Sequence, residues 1–169
     1  MIILSEKISQ KDIYFALNIY NYFITNSISN FEEKKLTLNN FNLLYKKSRL
    51  NKLPFLLAKD NEKIIGIAFV KKFREKSGYK FTYEHSIYVN PKYINSGYGS
   101  IILKELIRLC KKNKKIRNLI AVIGGSDNIA SIKIHKKNGF KYIGTLKKIG
   151  FKKNKWIDSV YMQKQLWKI

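Results

Sequence analysis

The chain has 169 residues, 45% of them hydrophobic and 14% aromatic, which suits one ordinary domain with a real core spanning residues 1–169. It carries 34 Lys and Arg against 11 Asp and Glu, a formal net charge of +23, and a single cysteine, Cys110. An internal disulfide is therefore excluded, no run approaches the ~20 apolar residues of a membrane helix, and the start MIILSEKISQKD lacks the basic-then-apolar order of a signal peptide.

The expected location is the cytoplasm, with no membrane partner. The positive charge has two readings. One is a polyanion such as nucleic acid. The other is a coding bias toward Lys, Asn and Ile. The only arginines are Arg49, Arg74, Arg108 and Arg117, and the basic residues are spread along the chain. Nucleic-acid readers favour arginine and a clustered patch. No dedicated nucleic-acid partner is expected.

In chain order, Ser9 can cap a helix, with Asp12 at the third helical position. Ile13, Ala16, Leu17, Tyr20, Phe23 and Ile24 then recur at helical spacing. A second helix is predicted around 39–49, with Phe41, Leu44 and Tyr45 on one face. Leu53–Lys59 reads as a strand, Asp60-Asn61-Glu62 as a turn, and Ile64–Phe73 as the return strand. A longer strand, Tyr79–Val89, follows and stops at Asn90-Pro91. The next helix places Ile102, Leu103, Leu106, Leu109 and Cys110 on one face, so Cys110 reads as a core residue. Asn118–Ile123 is a short buried strand, and Asn128–Lys137 a helix closed by Gly139. Lys141–Leu146 and Ile157–Leu166 are the last strands. Antiparallel runs mixed with strand–helix–strand units predict an α/β domain with a mixed sheet.

Two stretches carry candidate chemistry. In NPKYINSGYGS (90–100), a strand passes through Gly97 and Gly99 into a helix. The first N–H groups of a helix lack partners, and glycine lets a phosphate approach the backbone. The loop lacks the end of a Walker motif and the third glycine of a dinucleotide fingerprint. By itself it is either a phosphate site or a plain turn. In GGSDNIASIKIHKKNGF (124–140), Asn128, Ser131 and His135 share one helical face. His135 is either a partly exposed helix histidine or a proton donor in a cleft. Glu84, in FTYEHSIYV, is a carboxylate within an apolar strand. It is a candidate base if buried, or a carboxylate turned to solvent or paired with a lysine.

Together these pieces resemble the GNAT superfamily of N-acetyltransferases, and more closely its phosphinothricin N-acetyltransferase-like branch. The blocks that carry the resemblance are IYNYFITNSISNF (19–31), EHSIYVNPKY (84–93), AVIGGSDNIASIKIHKKNGF (121–140) and GTLKKIGFKKNKWIDSVYMQ (144–163). The superfamily's Q/R-x-x-G-x-G/A loop is matched by INSGYG at 94–99, with Ile94 where Gln or Arg is usual. The resemblance implies a GNAT-type mixed, mostly antiparallel sheet with flanking helices. It implies acetyl-CoA as co-substrate and no metal.

The same resemblance implies roles for particular residues. Glu84 would be the general base and His135 the acid for the leaving thiolate. The backbone of Ile87, Tyr88 and Val89 would pair with pantetheine. Asn95, Ser96, Gly97, Tyr98, Gly99 and Ser100 would hold the pyrophosphate, and Asn128, with Ser131 on its face, would contact the cofactor. Phe31 and Tyr79 would line the substrate pocket. The implied acceptor is a primary amine such as the α-amine of a small amino acid, phosphinothricin or methionine sulfoximine; the net positive charge disfavours a polycationic one. Protein or peptide amines, and a non-catalytic basic RNA-binding module, are the alternatives. Relatives in this branch often dimerise, which leaves a homodimer open.

Overall fold

The computed structural model describes residues 2–166. Seven strands form one sheet: β1 (Ile2–Ser5), β2 (Phe55–Asp60), β3 (Lys63–Lys72), β4 (Thr82–Val89), β5 (Asn118–Gly124), β6 (Lys141–Lys152) and β7 (Lys155–Gln165). Four helices flank it: α1 (Gln10–Asn26), α2 (Leu38–Leu50), α3 (Tyr98–Lys112) and α4 (Ile129–Lys137). The strand order is β1-β2-β3-β4-β5-β7-β6. Among the described residues the only parallel pairing is β4 with β5. This is the mixed, mostly antiparallel sheet expected.

Local chemistry accounts for the helix starts. The Ser9 hydroxyl accepts from the Asp12 N–H at 3.2 Å and donates to the Asp12 carboxylate at 2.8 Å. Thr37 caps α2 in the same way through the Asn40 N–H. Such a cap contributes about 1 kcal/mol. The turn after β2 places Asn61 and Glu62 at positive φ, as a tight hairpin requires.

The central strands are covered on both faces, and side-chain alternation divides them. Leu56, Ala58, Ala68 and Val70 pack with Leu103, Leu106 and Cys110 of α3. Phe55, Leu57, Ile67 and Phe69 pack with α1 and Phe41 of α2. Cys110 is fully buried, and burial pushes its thiol up to about 12. A thiol so placed stays protonated and unreactive, as its helical spacing indicates.

Three expectations need correction. β1 has no counterpart in the sequence reading, because four edge residues offer no periodicity. The sixth strand runs to Lys152, not Leu146; bulges at Tyr142/Gly144 and Leu146/Gly150 break the alternation that marks a strand. β4 begins at Thr82, because Ser77–Tyr79 closes a 3-10 turn.

Candidate active site

β4 and β5 part company in mid-sheet. Their pairing covers Thr82↔Asn118, Tyr83↔Leu119 and Glu84↔Ile120 and then ends. β3 follows β4 as far as Val89. One side of Ile87–Val89 therefore has no strand beside it. A cleft of about 700 Å³ opens at this divergence. It is roofed by the α1–α2 loop and flanked by the starts of α3 and α4.

The glycine loop forms one wall. Asn95 and Gly97 both have positive φ, and Gly97 is the N-cap of α3 without any side-chain cap bond. At φ 79° a Cβ would be strained, although nothing lies within 4 Å of it. The conformation selects glycine here, and crowding does not. The loop thus presents the first turn of α3 with its amides and partial positive charge. Asn95, Gly97, Tyr98, Gly99 and Ser100 line the cleft, as does Ile94. Ser96 is exposed and outside the lining.

The helix α4 supplies the opposite wall. The Asn128 carboxamide oxygen accepts from the Ser131 N–H at 3.2 Å and so caps the helix. Asn128, Ser131 and His135 all line the cleft, as their spacing indicates. His135 is not partly exposed. It is 2% exposed, with both ring nitrogens engaged. Its Nδ1 lies 2.7 Å from the Ser131 carbonyl oxygen, and its Nε2 lies 2.8 Å from Nε2 of His85. Burial pulls both imidazoles below their ordinary range, His85 to about 3.

The other end of the cleft lies where β4 faces the α1–α2 loop. Glu84 is half-buried, with its carboxylate 3.2 Å from the Lys71 ammonium. Those residues sit opposite each other in the β3–β4 ladder. Of the alternatives the sequence left open, the carboxylate is paired with a lysine. Phe31 also lines the cleft and lies against Gly150, where any Cβ would overlap the ring. Tyr88, held among Tyr20, Phe23 and Asn30, has its phenol pushed far up by burial.

Tyr79 does not join them. The 3-10 turn carries its ring onto Phe73 at 5.8 Å, where it is exposed and outside the cleft lining. Two cleft residues escaped the sequence reading. Lys71 requires the strand register to be known. His85 follows Glu84 directly, and alternation along β4 sends the two side chains to opposite faces; that pattern was the available signal.

A strand-split sheet, a glycine-started helix on the rim and a carboxylate within the cleft define an acyl-transferase architecture. The chain belongs to the GNAT acetyltransferase family: the model of the acetyltransferase (GNAT) domain matches residues 6–161. It is 42% identical over 114 residues to a phosphinothricin N-acetyltransferase of Alcaligenes faecalis, covering 68% of this chain and 57% of that protein. It is 29% identical over 151 residues to an L-methionine sulfoximine/L-methionine sulfone acetyltransferase of Salmonella typhimurium, covering 88% and 85% of the two chains. A solved acetyltransferase structure from Salmonella typhimurium, with its cofactor acetyl-CoA, superposes with a TM-score of 0.93. That pair is 27% identical over 100% of this chain and 95% of the other.

Proposed function

We propose that this enzyme transfers acetyl from acetyl-CoA to the α-amine of a small amino acid or close analogue, by direct attack in a ternary complex. The observation that carries the reading is the Lys71–Glu84 pair in the cleft. An α-amino acid presents an ammonium and a carboxylate side by side. Lys71 and Glu84 present the complementary charges at similar spacing. Lys71 is 54% exposed, so the pair contributes little to stability and opens readily to a zwitterion. The substrates named for the two relatives are of this chemical class.

Acetyl-CoA fits the residues present. Its pyrophosphate would meet the amides from Asn95 to Ser100 at the positive end of α3. Pantetheine would pair with Ile87–Val89 as an added strand, on the side β5 leaves uncovered. Asn128 and Ser131 would contact it from α4. Glu84, directly or through one water, takes a proton from the substrate ammonium. The freed amine attacks the thioester carbonyl, and an N–H near Val89 faces the developing oxyanion. His135 supplies the proton for the departing thiolate from the cleft floor.

The test has two parts. A screen of acetyl-CoA consumption should show amino acids and their sulfoximine or phosphinyl analogues well ahead of polyamines and N-terminal peptides. The reverse ranking would overturn the acceptor assignment. In Lys71→Ala, KM for the amino acid should rise on the order of tenfold, the loss of one charged hydrogen bond. KM for the matching amine without a carboxylate should stay put. An equal change in both would remove Lys71 from substrate recognition.

Two further readings complete the picture. The lone buried Cys110 fits a cytoplasmic home. No helix among the described residues is long and apolar enough to cross a membrane. The edge strand β6 and its hairpin partner expose Tyr142, Ile143, Leu146, Ile149, Phe151 and Trp156. An apolar strip of that kind on an edge strand supports a homodimer formed through it. Light scattering should give the mass of two chains, and Trp156→Lys should return it to one. A wild-type mass of one chain would eliminate the dimer.

A further inference from the structure

We propose that His85 is a positioning residue for His135, the two imidazoles holding one extra proton between them that sets which atom of His135 can release a proton. The proposal rests on the acetyl-transfer reading above.

His85 Nδ1 lies 3.1 Å from the Ile120 carbonyl oxygen. His135 Nδ1 lies 2.7 Å from the Ser131 carbonyl oxygen. A carbonyl oxygen only accepts, so each Nδ1 must carry a proton to make its bond. The two Nε2 atoms face each other at 2.8 Å, a distance that requires a proton between them. Three bonds need three protons, and two neutral imidazoles carry two. A neutral pair must leave one of the three contacts between bare lone pairs. That is costly at sites only 5% and 2% exposed. One added proton satisfies every contact.

A second added proton is disfavoured. It would place two charges on touching buried rings, and burial with the His135 charge drives His85 down to about 3. The surroundings offer no counter-ion. The Phe140 ring stands 5.1 Å from each imidazole. Val70 lies across the ladder from His85 on β3. Ile120 of β5 and Ser131 of α4 contribute carbonyls. Glu84, the nearest acid in sequence, pairs with Lys71 instead. Among the described residues neither ring joins an ion pair with a carboxylate. Burial pulls His135 below its ordinary range as well, so the three hydrogen bonds alone hold the proton, against that pull.

The device also explains how a histidine with both nitrogens occupied can act as an acid. Ser131 Oγ lies 3.4 Å from His135 Nδ1. In the acid step the His135 Nδ1–H bond breaks as a Ser131 O–H bond forms. The original Ser131 O–H bond breaks as an S–H bond forms on the departing thiolate. His135 keeps its Nε2 proton, donated to His85 Nε2. The pair goes from one positive charge to none as the thiolate goes from one negative charge to none. His135 Nδ1 then faces the Ser131 carbonyl without a proton, the unsatisfied state that favours reloading from water.

The chain has two histidines, so four ring nitrogens account for its whole imidazole spectrum. Nitrogen NMR of the free protein, from about pH 5 to 8, should show His85 Nδ1 protonated and one proton shared between the two Nε2 atoms throughout. His135 Nδ1 should lose its proton in one single-proton step. Two separate steps, or both Nε2 atoms bare across the range, would overturn the proposal. This readout does not depend on any acceptor being acetylated, so it stands apart from the functional reading. In kinetics, His85→Leu, which offers no acceptor, should lower kcat on the order of tenfold or more, with KM for acetyl-CoA nearly unchanged. Losing the acceptor for the shared proton should also move the alkaline limb of the kcat profile to lower pH. A slower variant with an unmoved limb would reduce His85 to a packing role and sink the idea.

Discussion

In Glu84→Gln, turnover is expected to fall on the order of 10²–10⁴-fold while acetyl-CoA affinity stays nearly intact. Glutamine keeps the shape and the hydrogen-bonding reach of the side chain and removes the base. The Lys71 pair is lost, but Lys71 is more than half exposed, so the fold should barely register the change. The loss should be largest at low pH. There nearly all of the amine is an ammonium ion and depends on the enzyme to remove its proton. Raising the pH supplies free amine from solution and should recover part of the rate. Steady-state kinetics across about pH 6 to 9 make the check. Turnover that matches wild type throughout would take Glu84 out of the mechanism.

The largest effect on stability is expected from Phe55→Ala. Phe55 is 1% exposed at the centre of the face that receives α1 and α2. Its ring stacks on Phe69 at 5.1 Å and meets Phe41 and Tyr45 edge-on. Truncation removes those contacts and leaves a cavity that three aromatic neighbours cannot readily fill. A loss of ~3–5 kcal/mol is expected. Urea unfolding should show a lower midpoint at an unchanged slope. A shift under ~1 kcal/mol would mean that the helices can slide inward to close the gap. Tyr20, from the same cluster, touches Tyr88 in the cleft, so the variant should also bind its substrates more weakly.

Much of this architecture was legible in the chain, and the rest was hidden for identifiable reasons. Caps located α1 and α4, because Ser9, Asn128 and Gly139 punctuate them, and the apolar face located α3. The glycine loop and the Asn128–Ser131–His135 face are local patterns, and the cleft contains both. What could not be read was register. The ladder that sets Lys71 against Glu84 joins two strands, and the 3-10 turn that moves Tyr79 away is local but interrupts what reads as one strand. The depth of His135 was also left open. Its helix looks amphipathic in the ordinary sense, yet this face is sealed by Phe140 and by a second histidine from β4. Alternation along EHS was enough to separate Glu84 from His85. It could not reveal that the second side chain would meet His135.

The parting of β4 from β5 has a mechanical consequence. Three register pairs join the β1–β4 part of the sheet to the β5–β7 part. The sheet is therefore hinged at its own active cleft. A donor molecule that pairs with Ile87–Val89 while touching α4 would act as a rivet across this seam. Amides on both sides of it should then exchange more slowly together, well away from the bound atoms. Affinity for the donor would be bounded by the cost of stiffening the hinge, as well as by the contacts the loop makes with its phosphates.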